Sequence, residues 1–146
     1  MMIFTRGRRL FTTACLAVIL VAIAHTAAHL APNPALAADP AYTKLVAAID
    51  DYHAPLGMGM SPSFHDIHKS LVFTMTVSLV SLGILGLAFA ADRCVTSREL
   101  TKLAAITAAT AAFMTGVYWV YHVPPPLVSL AVVTLLFAGS IRTTRA

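Results

Sequence analysis

Four uncharged apolar stretches make up roughly half of this chain, more than a water-soluble domain of its length could hide. The first, residues 10–31, runs 22 residues without Asp, Glu, Lys or Arg. At about 1.5 Å per residue it spans roughly 33 Å as a helix, enough to cross a hydrocarbon core of about 30 Å. Residues 70–91 and 103–121 repeat the pattern. Residues 125–141 form a shorter fourth run, opened by the proline turn Pro124-Pro125-Pro126, and proline is tolerated in a helix's first turn. Of the 146 residues, 58% are hydrophobic and 11% charged, and the mean hydropathy is +0.80. Soluble domains run near 45–50% and about 25%. The expected fold is therefore an all-α membrane protein, a four-helix transmembrane bundle.

The charges predict an orientation. With the N-terminus inside, Arg6, Arg8, Arg9, Arg93, Arg98, Lys102, Arg142 and Arg145 face the cytoplasm, and only Lys44 and Lys69 face out. All three inner segments obey the positive-inside rule, so both termini are expected to be cytoplasmic in a multi-pass protein of the bacterial inner membrane. The formal charge of +4 sits in short groups at span ends rather than along one face. It therefore reads as membrane topology and not as a nucleic-acid surface.

Residues 32–69 form the external connection and hold four of the six acidic residues. A short helix is expected over 40–52, with Asp39 as N-cap and Pro40 in its first turn. Tyr42, Leu45, Val46 and Ile49 fall on one stripe of it, which would lie on the outer membrane surface or against the bundle. His53 to Pro62, with Pro55, Gly57 and Gly59, reads as loop. The first forty residues also resemble a secretory signal, with an A-x-A site at Ala35-Leu36-Ala37. The apolar run exceeds the usual 7–15-residue signal core, so the first helix is expected to be retained rather than cleaved.

Small residues mark packing faces, because lipid provides little drive for helix association. The third span offers Ala104, Ala108, Ala111, Ala112 and Thr115; the second offers Thr74, Ser78 and Ser81. Gly83 and Gly86 are three apart and do not make a GxxxG motif. Tyr118, Trp119 and Tyr121 close the third span as an interfacial aromatic belt should. Cys15 and Cys94 fall at different depths, so no disulfide is expected between them.

One feature is uneven: all six histidines map to the outer end. His25 and His29 are four apart on the first span, His65 and His68 three apart at the start of the second. His53 lies in the connection and His122 ends the third span. Met58 and Met60 share the connection. Imidazoles at i, i+3 or i, i+4 supply two metal ligands from one helix, and thioethers would favour Cu(I). The metal candidates are thus His25, His29, His65, His68, His122, Met58 and Met60, for copper or zinc. A haem between His25 or His29 and His122 is the related alternative. The plainer reading is histidines that only hydrogen-bond, with no cofactor; a third is a sensor of external acidification.

No span holds an ionisable Asp, Glu, Lys or Arg, no phosphate loop or GxSxG elbow occurs, and His25–His29 lacks the Glu of HExxH. These absences argue against a stand-alone pump, transporter or hydrolase.

The chain resembles a group of small four-helix bacterial integral membrane proteins of uncharacterised function. The resemblance rests on His25-Thr26-Ala27-Ala28-His29-Leu30, on Gly57 to Ser63, on Asp66 in the first turns of the second span, and on the Pro124–Pro126 turn. It departs where Ser70-Leu71-Val72 replaces a Gly-Phe-Gly stretch, and where Ile67 and His68 replace aromatic residues. It implies a retained first helix and four spans, and no particular activity or cofactor. The resulting expectation is a non-enzymatic membrane component acting through protein partners or as a homo-oligomer. The alternatives are metal or haem binding at the external face, or an accessory subunit of a transporter or membrane enzyme.

Overall fold

The computed structural model describes residues 2–31, 33–55, 57, 59–120 and 124–145. Six helices follow in order: α1 (Met2–Leu30), α2 (Pro34–Ala37), α3 (Pro40–Asp51), α4 (Phe64–Ala91), α5 (Ser97–Val120) and α6 (Pro124–Arg145). Three helices, α1, α4 and α5, are long and apolar enough to cross a membrane, and α6 contributes a shorter apolar segment, Val128–Thr143. No strand is present among the described residues, only two isolated bridges in the loop after α3.

Local chemistry sets the helix starts. Asn33 caps α2, and Asp39 caps α3 by accepting from the Ala41 N–H at 2.8 Å, with Pro40 following. Ser63 opens α4: its hydroxyl accepts the Asp66 N–H at 3.1 Å and donates to the Asp66 carboxylate at 2.8 Å. Thr96 and Glu99 form the reciprocal capping box of α5, with the Thr96 N–H and hydroxyl both donating to Glu99 Oε2 at 2.8 Å. Between α3 and α4 the chain closes on itself. Ala54 N–H donates to Pro62 O at 3.0 Å and Phe64 N–H to Tyr52 O at 2.9 Å. The turn inside uses Gly57 (φ +83°) and Gly59 (φ +75°), left-handed positions where a Cβ is unfavourable.

The long helices alternate in direction. α1 lies between α4 and α6, and α5 packs on the far side of α6. Sequence neighbours α4 and α5 do not pack as a pair, which leaves one side of the bundle open. The α1–α4 seam is made by Gly83 and Gly86, both buried. A Cβ at Gly86 would collide with the Cys15 sulfur, and one at Gly83 with Ile19, standing 3.0 Å from the Cys15 carbonyl oxygen. The α1–α6 seam is centred on Phe11 and Phe137, edge to face with centroids 5.4 Å apart. Ala14, Cys15, Val18, Ala90, Leu100, Ala104, Ala111 and Val133 complete this core.

Buried hydroxyls answer to their own helix. Thr107 donates to Leu103 O at 2.9 Å and Ser140 to Phe137 O at 2.7 Å, so neither reaches the interior unpaired. By contrast Thr74, Ser78 and Ser81 face outward. Large apolar side chains do too: Phe113 is 74% exposed, Leu135 71% and Trp119 70%. Apolar exposure on this scale suits helices whose outer solvent is hydrocarbon.

Candidate functional site: a histidine-lined chamber at one end of the bundle

α1 ends, α4 begins and α3 lies across them at the same end of the bundle. The apolar stripe of α3 makes this closure possible. Tyr42, Leu45, Val46 and Ile49 line one side of a half-open space of about 370 Å³ against α4 and the end of α1, with Tyr42 and Leu45 still exposed. Its other walls are Thr26, His29 and Leu30 of α1 and Phe64, His65, His68, Lys69, Val72 and Phe73 of α4. Below it the Thr26 and Thr76 hydroxyls meet across the α1–α4 seam. Each also lies near a carbonyl of its own helix, Thr26 at 3.2 Å from Ala22 O and Thr76 at 2.9 Å from Val72 O; each hydroxyl carries one proton, so one of the two donates across the seam and the other to its own helix.

Three imidazoles line it, His29, His65 and His68, and His25 stands beside His29. His25 and His29, one turn apart on α1, stand edge to face with ring centroids 4.5 Å apart. His29 meets His68 of α4 in the same manner at 5.4 Å. His65, one turn before His68, is held by α3: its Nδ1 lies 3.1 Å from Asp50 Oδ1.

The remaining candidates are placed elsewhere. His53 is exposed and its Nδ1 donates to the Ser61 carbonyl at 2.7 Å, which ties the loop together. Met60 is exposed in the Gly57–Met60 turn and does not line the chamber. His122 and Met58 lie outside the described residues, so the pairing of His25 or His29 with His122 around a haem has no geometry to report. Among the described residues, no three of His, Cys, Asp and Glu are grouped to hold a metal ion as their side chains stand.

His25 also reaches a second space, of about 350 Å³, further into the bundle. Its walls come from all four long helices, including Met75 and Leu79 of α4, Met114 and Tyr118 of α5, and Ser129 and Leu130 of α6. It occupies the gap that α4 and α5 leave between them, crossed by the Tyr118 hydroxyl approaching Met75 Sδ at 3.6 Å. A smaller, almost wholly apolar space of about 120 Å³ continues the gap toward Cys15 and Phe137.

Sequence reasoning singled out the histidines but not Asp50 or the α3 stripe as parts of one site. The stripe was legible; its facing was not, because an amphipathic helix satisfies its apolar side equally well on lipid or on protein. Comparison with known protein families, with curated proteins and with solved structures finds no match for the chain.

Proposed function

We propose that the chain is a four-span protein of the bacterial cytoplasmic membrane, with both termini inside, that works through protein partners in the bilayer and carries out no reaction of its own. One observation carries this reading: the small-residue face that α5 leaves uncovered. Ala105, Ala109, Ala112 and Gly116 recur along it at intervals of four, three and four, all exposed, and a Cβ at Gly116 would meet nothing within 4 Å. The other small face of α5, with Ala104, Thr107 and Ala111, is already buried. Small residues let helix backbones approach closely in lipid, where packing replaces the hydrophobic effect as the source of association. The resemblance to small four-helix bacterial membrane proteins and the positive-inside count support the span number and orientation.

The test is photo-crosslinking in native membranes from a benzophenone amino acid at Phe113, which sits beside this face. A discrete protein adduct is expected, either a dimer of the chain or one heterologous species, and Ala109→Leu should abolish it. The same probe at Leu135 on α6 serves as control. A smear of lipid adducts at both positions, or an adduct indifferent to Ala109→Leu, overturns the reading.

A further inference from the structure

We infer that the space between α1, α3 and α4 binds one phospholipid with an anionic headgroup. Lys69, His29 and His68 hold the phosphate, and an acyl chain covers the apolar stripe of α3. The inference needs the chain to lie in a membrane, but neither the orientation nor the partner proposed above.

The lining combines two chemistries. Most of it is apolar: the α3 stripe, with Leu30 of α1 and Val72 and Phe73 of α4. The rest is rich in donors, the Lys69 ammonium and the imidazoles of His29, His65 and His68. An ammonium carries three N–H donors and accepts nothing, and each imidazole adds at least one N–H. Among the described residues no carboxylate lines the space. Asp50 and Asp66, on the same elements, are engaged: Asp50 lies 3.1 Å from His65 Nδ1, and Asp66 accepts the Ser63 hydroxyl at 2.8 Å. A cation set among apolar walls calls for an anion carried on an apolar body.

The walls are also left uncovered by protein. Leu30 is 61% exposed and Leu45 57%. A bare phosphate would leave that surface open, whereas an acyl chain would cover it. The order of the two chemistries matches a lipid standing in a bilayer. The space lies where α1 ends and α4 begins, and both helices are long enough to cross a membrane. Along α4, His68 and Lys69 come first, and Val72 and Phe73 follow about one turn further toward the middle of the span. The head-binding side chains thus stand at the helix end and the tail-binding ones deeper. Basic pockets between membrane helices hold anionic headgroups in this manner.

The experiment uses the full chain, purified in mild detergent and stripped of lipid. It is titrated with phosphatidylglycerol, and the retained lipid is counted by native mass spectrometry. One tightly held phosphatidylglycerol is expected, with no phosphatidylcholine retained at the same concentration. Lys69→Gln should weaken retention about fivefold, the effect of one lysine near an anionic lipid surface. Lys44→Gln makes the same charge change on α3, outside the lining, and should leave retention as it was. Leu45→Asn keeps every charge but removes part of the apolar wall, and should also weaken it. Thermal unfolding of each lipid-free variant separates a lost site from a lost fold. Equal retention of the two lipids, or equal losses in Lys69→Gln and Lys44→Gln, would mean unspecific attraction and overturns the proposal. So does displacement by inorganic phosphate, which would make this an anion site without a tail. A Leu45→Asn protein that holds the lipid like the wild type overturns it as well, because the acyl chain would then lie elsewhere.

Discussion

Arg8 shows how one residue serves two requirements. The topology proposed above asks for a cation at the cytoplasmic end of the first span. The fold uses the same guanidinium to tie the bundle: Nη2 donates to Asp92 O at 3.0 Å and to Val95 O at 3.1 Å, more than eighty residues away. Those carbonyls close α4 and its loop, where a helix has acceptors with no partner of its own. Arg8→Ala should therefore destabilise the bundle by about 1.5–3 kcal/mol, the range for hydrogen bonds from a charged donor. Arg8→Lys, which keeps the charge but not the planar guanidinium, should recover part of that. Thermal or SDS unfolding in detergent checks both. Equal stability of Arg8→Ala and wild type would show that these bonds contribute nothing. The reciprocal cap at Thr96–Glu99 is local in its value to the fold, whereas that of Arg8 is long-range.

At the scale of the element, the α1–α4 seam depends on absent side chains. Gly83 and Gly86 are three apart, so the usual four-residue spacing misses them, yet both face α1 because helix neighbours lie three or four residues apart. Gly86→Ala should cost about 1–3 kcal/mol, as overpacking of a tight core does, because its methyl lands on the Cys15 sulfur. Combining it with Cys15→Ala should return much of that loss, since the colliding atom is then gone. A double-mutant cycle on unfolding measures the coupling. Additive losses would mean that the two positions do not meet. Thr74, Ser78 and Ser81 teach the converse: they share a helix face and invite reading as an interface, but that face points outward.

For the whole molecule, one end holds Arg8, Asp92 and Val95, and the other holds the chamber with His29, His65 and His68. The orientation proposed above puts the first end in the cytoplasm. A membrane-impermeant maleimide should then leave exposed Cys94 unlabelled in intact spheroplasts and label it once they are permeabilised. Cys15, buried, should stay silent in both, and a cysteine at Ser61 should label in intact spheroplasts. Labelling of Cys94 from outside would invert the topology and move the histidine chamber to the cytoplasmic face.

The sequence by itself determined what is local or set by the solvent. Helices are compelled wherever an apolar run is long, because backbone groups in hydrocarbon must pair within their own segment. Their starts follow from single side chains such as Asp39 with Pro40. The shared end of His25, His29, His65 and His68 follows from alternation of direction. Tertiary structure alone decided which faces meet: α4 against α1 and not α5, the α3 stripe turned onto the histidines, Asp50 set against His65, and one small face of α5 buried while the other is left bare. Hydrophobicity cannot make those choices, because lipid and protein interior are equally apolar to a leucine or an alanine. They are made by close approach at Gly83 and Gly86, by edge-to-face packing of Phe11 on Phe137, and by the reach of Arg8, and such contacts exist only once the helices are side by side.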